Sequence, residues 1–195
     1  MDTTTAPLRV TLLVGSNRHG RFGTVVADWL LDHLHDRDDL VPEVVDVAAT
    51  DLPTTFAPTP EATAALAEIT PKLAGADAFV VLTPEYNHSF PAGLKNVIDW
   101  HFGEWRAKPV GLVSYGGMAG GVRAAEHLRQ VFAELNAVTV RDTVSFHNAG
   151  ASFDGEGRLT DPSGPDAAAK TMFDQLVWWG RALREAKAKR PYGGS

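Results

Sequence analysis

The sequence has no cysteine among its 195 residues. Disulfide bonds, thiolate nucleophiles and Cys-ligated metal clusters are therefore excluded, and a reducing cytoplasm is compatible with this composition. Long apolar runs are also missing, since none approaches the roughly 20 residues that a membrane-spanning helix needs. Asp2 stands where a signal peptide carries positive charge, and the first apolar run ends at Val14. We therefore expect a cytoplasmic protein.

An excess of positive charge is absent too. The 24 acidic and 18 basic residues give a formal net charge of −6, which argues against a general binder of nucleic acid or of membrane surfaces. With 44% hydrophobic residues, the chain is long enough for one domain with a sizeable core. We expect a single domain over residues 1–195, frayed at about 1–7 and 188–195.

Short apolar runs rich in β-branched residues predict the strands. They lie at residues 8–14, 41–47, 78–82, 110–114 and 138–140. Continuous runs of this kind suit strands that are buried on both faces, as in a parallel sheet. Residues with helical spacing between these runs predict amphipathic helices. Their apolar stripes are Val26, Trp29, Leu30 and Leu34; Ala125, Leu128, Phe132 and Leu135; and Met172, Leu176, Trp179 and Leu183.

The alternation of strand and helix predicts an α/β fold made of right-handed βαβ units. Five strands and about five helices at this length favour a flavodoxin-like, doubly wound five-stranded parallel sheet of order 2-1-3-4-5, with helices on both faces. In that order, ligands bind beyond the carboxyl ends of the first, third and fourth strands. The loops that follow these strands read GSNRHGRFG, TPEYNHSFP and SYGGMAGG.

The first loop, residues 15–23, has the composition of an anion site. Its glycines permit a tight turn, and unpaired N–H groups at a helix start favour a negative charge. Ser16 offers a hydroxyl, and Arg18 offers a planar guanidinium suited to phosphate. Arg21 and Phe22 stand where a nucleoside-triphosphate loop needs Lys and Ser or Thr, so ATP or GTP hydrolysis is not expected. Taken alone, the loop fits a phosphomonoester site or an ordinary strand–helix turn.

The second loop holds a Pro-Glu-Tyr-Asn quartet between a strand-like and a helix-like segment. Pro84 stiffens the chain, which predicts that the N–H groups of Glu85, Tyr86 and Asn87 are free to face a flat heterocycle. Tyr86 adds an aromatic ring that packs either on such a heterocycle or, half-buried, against the core. His88, which follows, is expected to be an exposed loop residue.

The third loop presents Gly116 and Gly117 where a side chain would block the close approach of a ring edge. Taken alone, this Gly-Gly pair also fits a flexible turn. Three such loops after neighbouring strand ends are improbable as accidents, and together they indicate one binding site.

The three loops resemble the signatures of the NADPH-dependent FMN reductase family, a flavodoxin-like group of flavoenzymes. The middle signature is the specific one, because Pro-Glu-Tyr-Asn is followed in the next helix by Leu-Lys-Asn and Asp-Trp. The resemblance extends over about residues 10–135. The segment FDGEGRLTDP, within the irregular stretch 149–165, is also similar to the family's usual lead-in to the last helix.

The resemblance implies FMN as cofactor and NADPH or NADH as co-substrate. It implies an NAD(P)H-dependent oxidoreductase that passes electrons to a quinone, a free flavin or a similar small acceptor. Backbone donors suffice for such flavin chemistry, so no catalytic acid or base is expected. The implied cofactor-binding residues are Ser16, Arg18 and the N–H groups of Arg21, Phe22 and Gly23 at the phosphate, Pro84, Glu85, Tyr86 and Asn87 along the isoalloxazine, and Ser114, Tyr115, Gly116 and Gly117 at its pyrimidine side.

One departure from the family pattern concerns the phosphate site. Members often have Ser and Asn where this chain has Arg21 and Gly23, so backbone donors or Arg21 itself must replace two side chains. A flavodoxin-type electron carrier and a flavin-free binding or regulatory module are the alternatives on the same fold. The nicotinamide has no fingerprint of its own in this sequence, which leaves NADH and NADPH open.

No metal site is expected. His33 and His35 lie two residues apart on a helix and point to different sides. Asp154, Glu156 and Asp161 lack the register of a calcium-binding loop.

Two tryptophans indicate a partner surface, unless a loop covers them. In a helix over residues 92–102, the stripe of Leu94, Ile98 and Phe102 is predicted to face the sheet, which leaves Trp100 outside it. Trp178 lies nearly opposite Leu176 on the last helix. We expect a homodimer, or a tetramer built from dimers, as the resemblance also implies.

Overall fold

Every apolar run that predicts a strand forms one in the computed structural model, which describes residues 6–193. The five strands are β1 (Leu8–Val14), β2 (Leu40–Asp46), β3 (Ala78–Pro84), β4 (Pro109–Tyr115) and β5 (Val138–Phe146). All neighbouring strands are parallel, and the sheet order is 2-1-3-4-5, as predicted. The largest difference is in β5, where the predicted run of three residues is the start of a nine-residue strand.

Within residues 6–193, six α-helices connect and cover these strands. They are α1 (Gly23–His35), α2 (Pro60–Gly75), α3 (Ala92–Asp99), α4 (Val122–Glu134), the short α5 (Ala149–Ser152) and α6 (Ser163–Lys189). Helix α2 begins where Thr59 accepts a hydrogen bond from the Ala62 N–H and where Pro60 supplies a preset first turn. Helices α1 and α6 pack on one face of the sheet, and α2, α3 and α4 pack on the other. The doubly wound, flavodoxin-like architecture is therefore confirmed.

The apolar stripes of α1 and α4 face the sheet as predicted, but those of α3 and α6 need correction. Helix α3 ends at Asp99, so Phe102 falls outside it and is 52% exposed. Trp100 is covered by a loop, because its Nε1 donates to the Pro53 carbonyl at 2.8 Å and Phe56 stacks on its ring. Trp179 is exposed instead of buried.

The buried face of α6 is shifted relative to the predicted stripe. Its buried positions are Ala169, Met172, Phe173, Leu176, Val177 and Gly180. A Cβ at Gly180 would overlap a methyl group of Leu8, so the helix approaches β1 too closely for a large side chain there. Trp178 and Trp179 lie outside this buried face and are exposed.

The two ends of the described chain are tied together. Arg184 donates to the carbonyls of Ala6 and Pro7, at 2.7 and 3.2 Å. Helix α6 continues to Lys189, into the segment 188–195 that we expected to fray. Residues 1–5 and 194–195, to which the same expectation applied, lie outside the described residues.

None of the described helices combines the length and the apolar character that a membrane crossing requires. Within residues 6–193, the His, Asp and Glu side chains also form no group of three or more that could hold a metal ion. His33 instead lies 3.1 Å from a carboxylate oxygen of Asp166 on α6.

Candidate functional site

The carboxyl ends of β1, β3 and β4 lie side by side, and the loops that follow these strands meet there. The Glu85 N–H donates to the Tyr115 carbonyl at 3.1 Å, which joins the second loop to the end of β4. The Arg18 guanidinium carbon lies 3.6 Å from the centre of the Tyr86 ring, which joins the first loop to the second. The three loops converge as the strand order predicts.

The first loop presents a cluster of unpaired hydrogen-bonding groups. No acceptor within residues 6–193 pairs with the backbone N–H groups of residues 16–22, which lead into α1. The Ser16 side chain is buried, and its Oγ has no partner with hydrogen-bond geometry in this part of the chain. Buried polar groups are almost always satisfied in folded proteins, so the buried Ser16 Oγ points to a ligand, and the N–H groups of the exposed residues 17–20 beside it are open to the same ligand. Donors at the start of a helix suit an anion.

Arg21, which we expected at the phosphate, is committed to a different partner. Its guanidinium forms a two-pronged ion pair with Asp46 at the end of β2 and donates to the Ser16 carbonyl. The hydrogen bond with Asp46 raises the pKa of Arg21. Burial favours a neutral Asp46, but hydrogen bonds from Arg21 and from the Ala48 N–H hold the pKa of Asp46 below its usual value. Arg21 therefore fastens the loop to β2.

The space beside Gly23 is already filled, which explains why this chain carries no side chain there. A Cβ at Gly23 would overlap the Ser16 Oγ and would lie 2.6 Å from the Tyr115 hydroxyl. Burial raises the pKa of Tyr115 to about 12, so this hydroxyl stays neutral near Ser16 at physiological pH. Phe22 packs its ring between Tyr115 and Phe153, which leaves only its backbone for a ligand.

The backbone of the quartet differs from the prediction. The Glu85 N–H is paired with Tyr115, and the Tyr86 N–H donates to the Ser89 carbonyl at 2.8 Å, so neither is free. A tight turn closed between Tyr86 and Ser89 uses the donors that we expected to face a ligand. Asn87 has a φ of 50°, a left-handed conformation that Asn tolerates. Its N–H has no acceptor among the described residues.

One face of Tyr86 is covered by Arg18 and is closed to a flat ring in this arrangement. Burial raises the pKa of Tyr86, while the charges of Arg18 and Arg21 act in the opposite sense. Arg18 itself is exposed. A cation–π contact at an exposed site is worth about 0.5–1 kcal/mol. A charge-assisted hydrogen bond to a phosphate is worth about 1.5–3 kcal/mol, so a phosphate within reach of Arg18 displaces Tyr86 from its guanidinium.

In the third loop, Ser114 and Gly116 make hydrogen bonds within the protein, and Gly117 remains available to a ligand. The Ser114 hydroxyl donates to the Gly120 carbonyl at 2.9 Å, so it shapes the loop instead of facing a ligand. The Gly116 N–H is taken by the Phe146 carbonyl at 3.2 Å. The Gly117 N–H meets no acceptor in the described chain, and a Cβ at this position would find no atom within 4 Å. Gly117 is the open position of the loop.

Two acidic side chains of this region were not recognised in the sequence as part of the site, and the role of the segment after β5 was left open. Glu85 was expected to contribute its backbone, but its nearly buried side chain forms an ion pair with Arg123 of α4. Asp46 had a usable signal, since it ends β2 at the same edge of the sheet. The irregular stretch after β5 supports the third loop, because the Asn148 N–H donates to the Gly117 carbonyl at 2.8 Å.

The sequence profile of the family described as NADPH-dependent FMN reductase matches residues 8–151, well over half of the chain. This chain belongs to that family. An NAD(P)H-dependent FMN reductase of Schizosaccharomyces pombe is 35% identical over 130 residues, which cover 60% of this chain and 62% of the relative. A quinone reductase of Escherichia coli strain K12 is 36% identical over 144 residues, which cover 68% of this chain and 73% of the relative. The match to the S. pombe protein thus spans less than two thirds of its length.

A solved structure of similar fold is FerB from Paracoccus denitrificans, a flavoenzyme NAD(P)H:(acceptor) oxidoreductase. It matches with a TM-score of 0.70 and 23% sequence identity, over 90% of this chain and 98% of that one. At this level of identity the likeness establishes the fold.

The residues of the site fit the FMN for which the family is named. The unpaired N–H groups of residues 16–22 and the orphaned Ser16 Oγ suit a phosphate, and no carboxylate lies in that loop. The open backbone at Gly117 leaves room for the edge of a flat ring. The site therefore has an anion-binding end and an open end suited to a heterocycle.

The ion pair of Arg21 and Asp46 should stabilise the fold only while Asp46 is ionised. Asp46→Asn should lower the free energy of unfolding by about 1–3 kcal/mol at neutral pH, because it leaves Arg21 without its counter-charge. The folded-state pKa of Asp46 is lowered, so the stabilisation is complete above the unfolded pKa of about 3.9 and is lost as pH falls through the folded value. Urea unfolding should show a difference between wild type and variant that shrinks below about pH 4.

The matched control for this test is Asp99→Asn, which removes the more exposed ion pair with Lys95 on α3. Its effect should stay below about 1 kcal/mol. A difference for Asp46→Asn that stays constant with pH would contradict the role assigned to the ion pair.

Gly117→Val should fill the ligand space without disturbing the fold. A Cβ at Gly117 touches nothing in the protein, so far-UV circular dichroism should match wild type, whereas FMN should no longer bind. Gly103→Val is the control, since its Cβ also meets no atom within 4 Å but lies between α3 and β4, at the opposite edge of the sheet. A Gly117→Val protein that retains FMN through gel filtration would rule out this pocket.

Proposed function

We propose that this chain is an NAD(P)H-dependent FMN oxidoreductase, which passes electrons from a reduced nicotinamide through FMN to a quinone, a free flavin or a similar small acceptor. The observation that carries the proposal is the pairing of an unsatisfied anion site at residues 16–22 with an open backbone at Gly117, in a chain of this family. The names of two relatives, an NAD(P)H-dependent FMN reductase and a quinone reductase, support the same activity.

FMN supplies the chemistry when bound, since its ring accepts a hydride and releases electrons to an oxidant. The residues of this chain bind and orient it. The first loop holds the phosphate through backbone N–H groups, the Ser16 hydroxyl and Arg18. The N–H groups of Asn87 and Gly117, which have no acceptor in the described chain, are the donors offered to the ring. Because these donors are backbone groups, catalysis requires no acid or base side chain.

A cytoplasmic location and a homodimer, or a tetramer of dimers, belong to the same proposal. The absence of cysteine is compatible with that location. For the assembly, Trp178 is 64% exposed and stacks edge-on against Trp179, which makes an apolar surface on α6. Trp100 no longer supports a partner surface, because the loop at Pro53 covers it. Light scattering at micromolar concentration measures the oligomeric state.

A visible absorption spectrum and an NADPH oxidation assay test the proposed activity. The purified protein, or the protein after addition of FMN, should show the absorption of bound flavin and should oxidise NADPH or NADH with a quinone as acceptor. Bound flavin without nicotinamide turnover would identify an electron carrier. A protein that stays colourless with FMN would identify a flavin-free module, and either result would refute the proposed function.

Arg18→Ala tests the phosphate end of the site. A charge-assisted hydrogen bond is worth about 1.5–3 kcal/mol, from which the cation–π contact with Tyr86, about 0.5–1 kcal/mol, must be subtracted. The variant should therefore bind FMN roughly 2- to 60-fold more weakly. Riboflavin has no phosphate, so its affinity should not fall, because the substitution also uncovers Tyr86.

The control for Arg18→Ala is Arg9→Ala, which removes an equal charge at the amino-terminal end of β1, far from the loops. It should leave both affinities unchanged. An equal loss of FMN and riboflavin in Arg18→Ala, or no loss of either, would show that Arg18 does not bind the phosphate.

A further inference from the structure

Among the described residues, three buried side-chain atoms have no hydrogen-bond partner. They are the Ser16 Oγ, the Glu85 Oε2 and the Arg106 Nε. An unsatisfied buried acceptor destabilises the folded state, and a charged acceptor does so more strongly than a neutral one. Ser16 is accounted for by the phosphate site. Glu85 lies at the same edge of the sheet, and no group within residues 6–193 pairs with its second oxygen.

The Glu85 carboxylate is held firmly in place. Its Oε1 forms an ion pair with Arg123, its side chain is only 8% exposed, and its backbone N–H is bonded to Tyr115. Together with Gly117, Met118 and Arg123, it lines a cavity of about 260 Å³ between the second and third loops. Its Oε2 is therefore a positioned acceptor beside the open backbone of the third loop.

An ionised carboxylate oxygen only accepts hydrogen bonds, so its ligand must present a donor. The oxidised isoalloxazine ring has one N–H group, the imide N3–H of its pyrimidine ring, which lies between two carbonyl groups. Along that edge the C2 carbonyl accepts a hydrogen bond, N3–H donates one, and the C4 carbonyl accepts one. The protein offers a matching donor at the Gly117 N–H and a matching acceptor at the Glu85 Oε2.

Contacts of Tyr86 and Glu85 with the neighbouring loops indicate which part of FMN lies next to Glu85. Tyr86 contacts Arg18 of the first loop, where the phosphate binds, whereas Glu85 contacts Tyr115 and Arg123 on the side of the third loop. The ribityl chain joins the ring system at N10, between its two ends, and the dimethylbenzene end has no hydrogen-bonding groups. The end that can use the unpaired Gly117 N–H and Glu85 Oε2 at the third loop is therefore the pyrimidine edge. We propose that the Glu85 Oε2 accepts the hydrogen bond of flavin N3–H and that Arg123 is the positioning residue that orients this carboxylate. This assignment rests on the flavin site proposed above.

Binding of N3-methyl-FMN to the full-length apoprotein tests the assignment. Methylation removes the N3–H and keeps the phosphate. A hydrogen bond to a charged group is worth about 1.5–3 kcal/mol, so wild type should bind FMN roughly 10- to 150-fold more tightly than N3-methyl-FMN, measured by flavin fluorescence quenching. Glu85→Ala should bind the two flavins with nearly equal affinity.

Glu85→Gln keeps the size of the side chain and a neutral acceptor, which guards against a folding defect in Glu85→Ala. This variant should bind FMN only roughly 2- to 12-fold more tightly than N3-methyl-FMN, because a hydrogen bond between neutral groups is weaker than one to a carboxylate. Glu126→Gln is the matched control, because Glu126 is an exposed residue of α4 that pairs with Arg129. It should keep the preference of wild type.

Arg123→Gln separates positioning from direct contact. It should reduce the preference for FMN when Glu85 is present and should change nothing in the Glu85→Ala background. Equal binding of both flavins by wild type, or a preference that survives in Glu85→Ala, overturns the assignment and leaves the flavin site intact. Failure of wild type to bind either flavin would refute the proposed function itself.

Discussion

The parallel register of β1, β3 and β4 is the constraint on which the site depends. Val14 pairs with Leu82, and Pro84 pairs with Tyr115, so the three strands end close together at one edge. Strands β3 and β4 are buried along their whole length, and their apolar contacts on both faces hold this register. Each loop therefore starts from a fixed point, and the loops converge without needing extensive contacts of their own.

Ion pairs around the site hold the loops in place and leave mostly backbone donors for the ligand, together with Arg18 and the second oxygen of Glu85. Arg21 forms an ion pair with Asp46, and Glu85 forms one with Arg123. What remains unsatisfied is mainly backbone N–H, in the first loop and at Asn87 and Gly117. Such donors allow a chain of net charge −6 to bind an anionic cofactor, because long-range repulsion is screened within about 10 Å while hydrogen bonds act at contact.

The predictions that were wrong extended a local sequence pattern to a feature that depends on contacts between distant segments. Phe102 continued the helical spacing of Leu94 and Ile98, but α3 ends at Asp99. The apolar spacing itself contains no signal for that helix end. The N–H groups of Glu85 and Tyr86 were expected to be free because of Pro84, yet a four-residue turn and the neighbouring β4 accept them. Trp179 had the right period for burial, but the buried face of α6 runs through Phe173, Val177 and Gly180, so Trp179 lies outside it and is exposed.

The sequence by itself determined the strands, their order, the three loops that meet at the carboxyl ends of β1, β3 and β4, and the family, because apolar periodicity and short glycine-rich motifs are local properties of the chain. Only the tertiary structure decided which donors in those loops remain available. The availability of an N–H depends on whether an acceptor from a distant segment reaches it, as Phe146 reaches Gly116 and nothing described reaches Gly117. The same holds for Arg21, whose guanidinium is drawn from the phosphate loop to Asp46 because β2 lies beside β1 in the sheet.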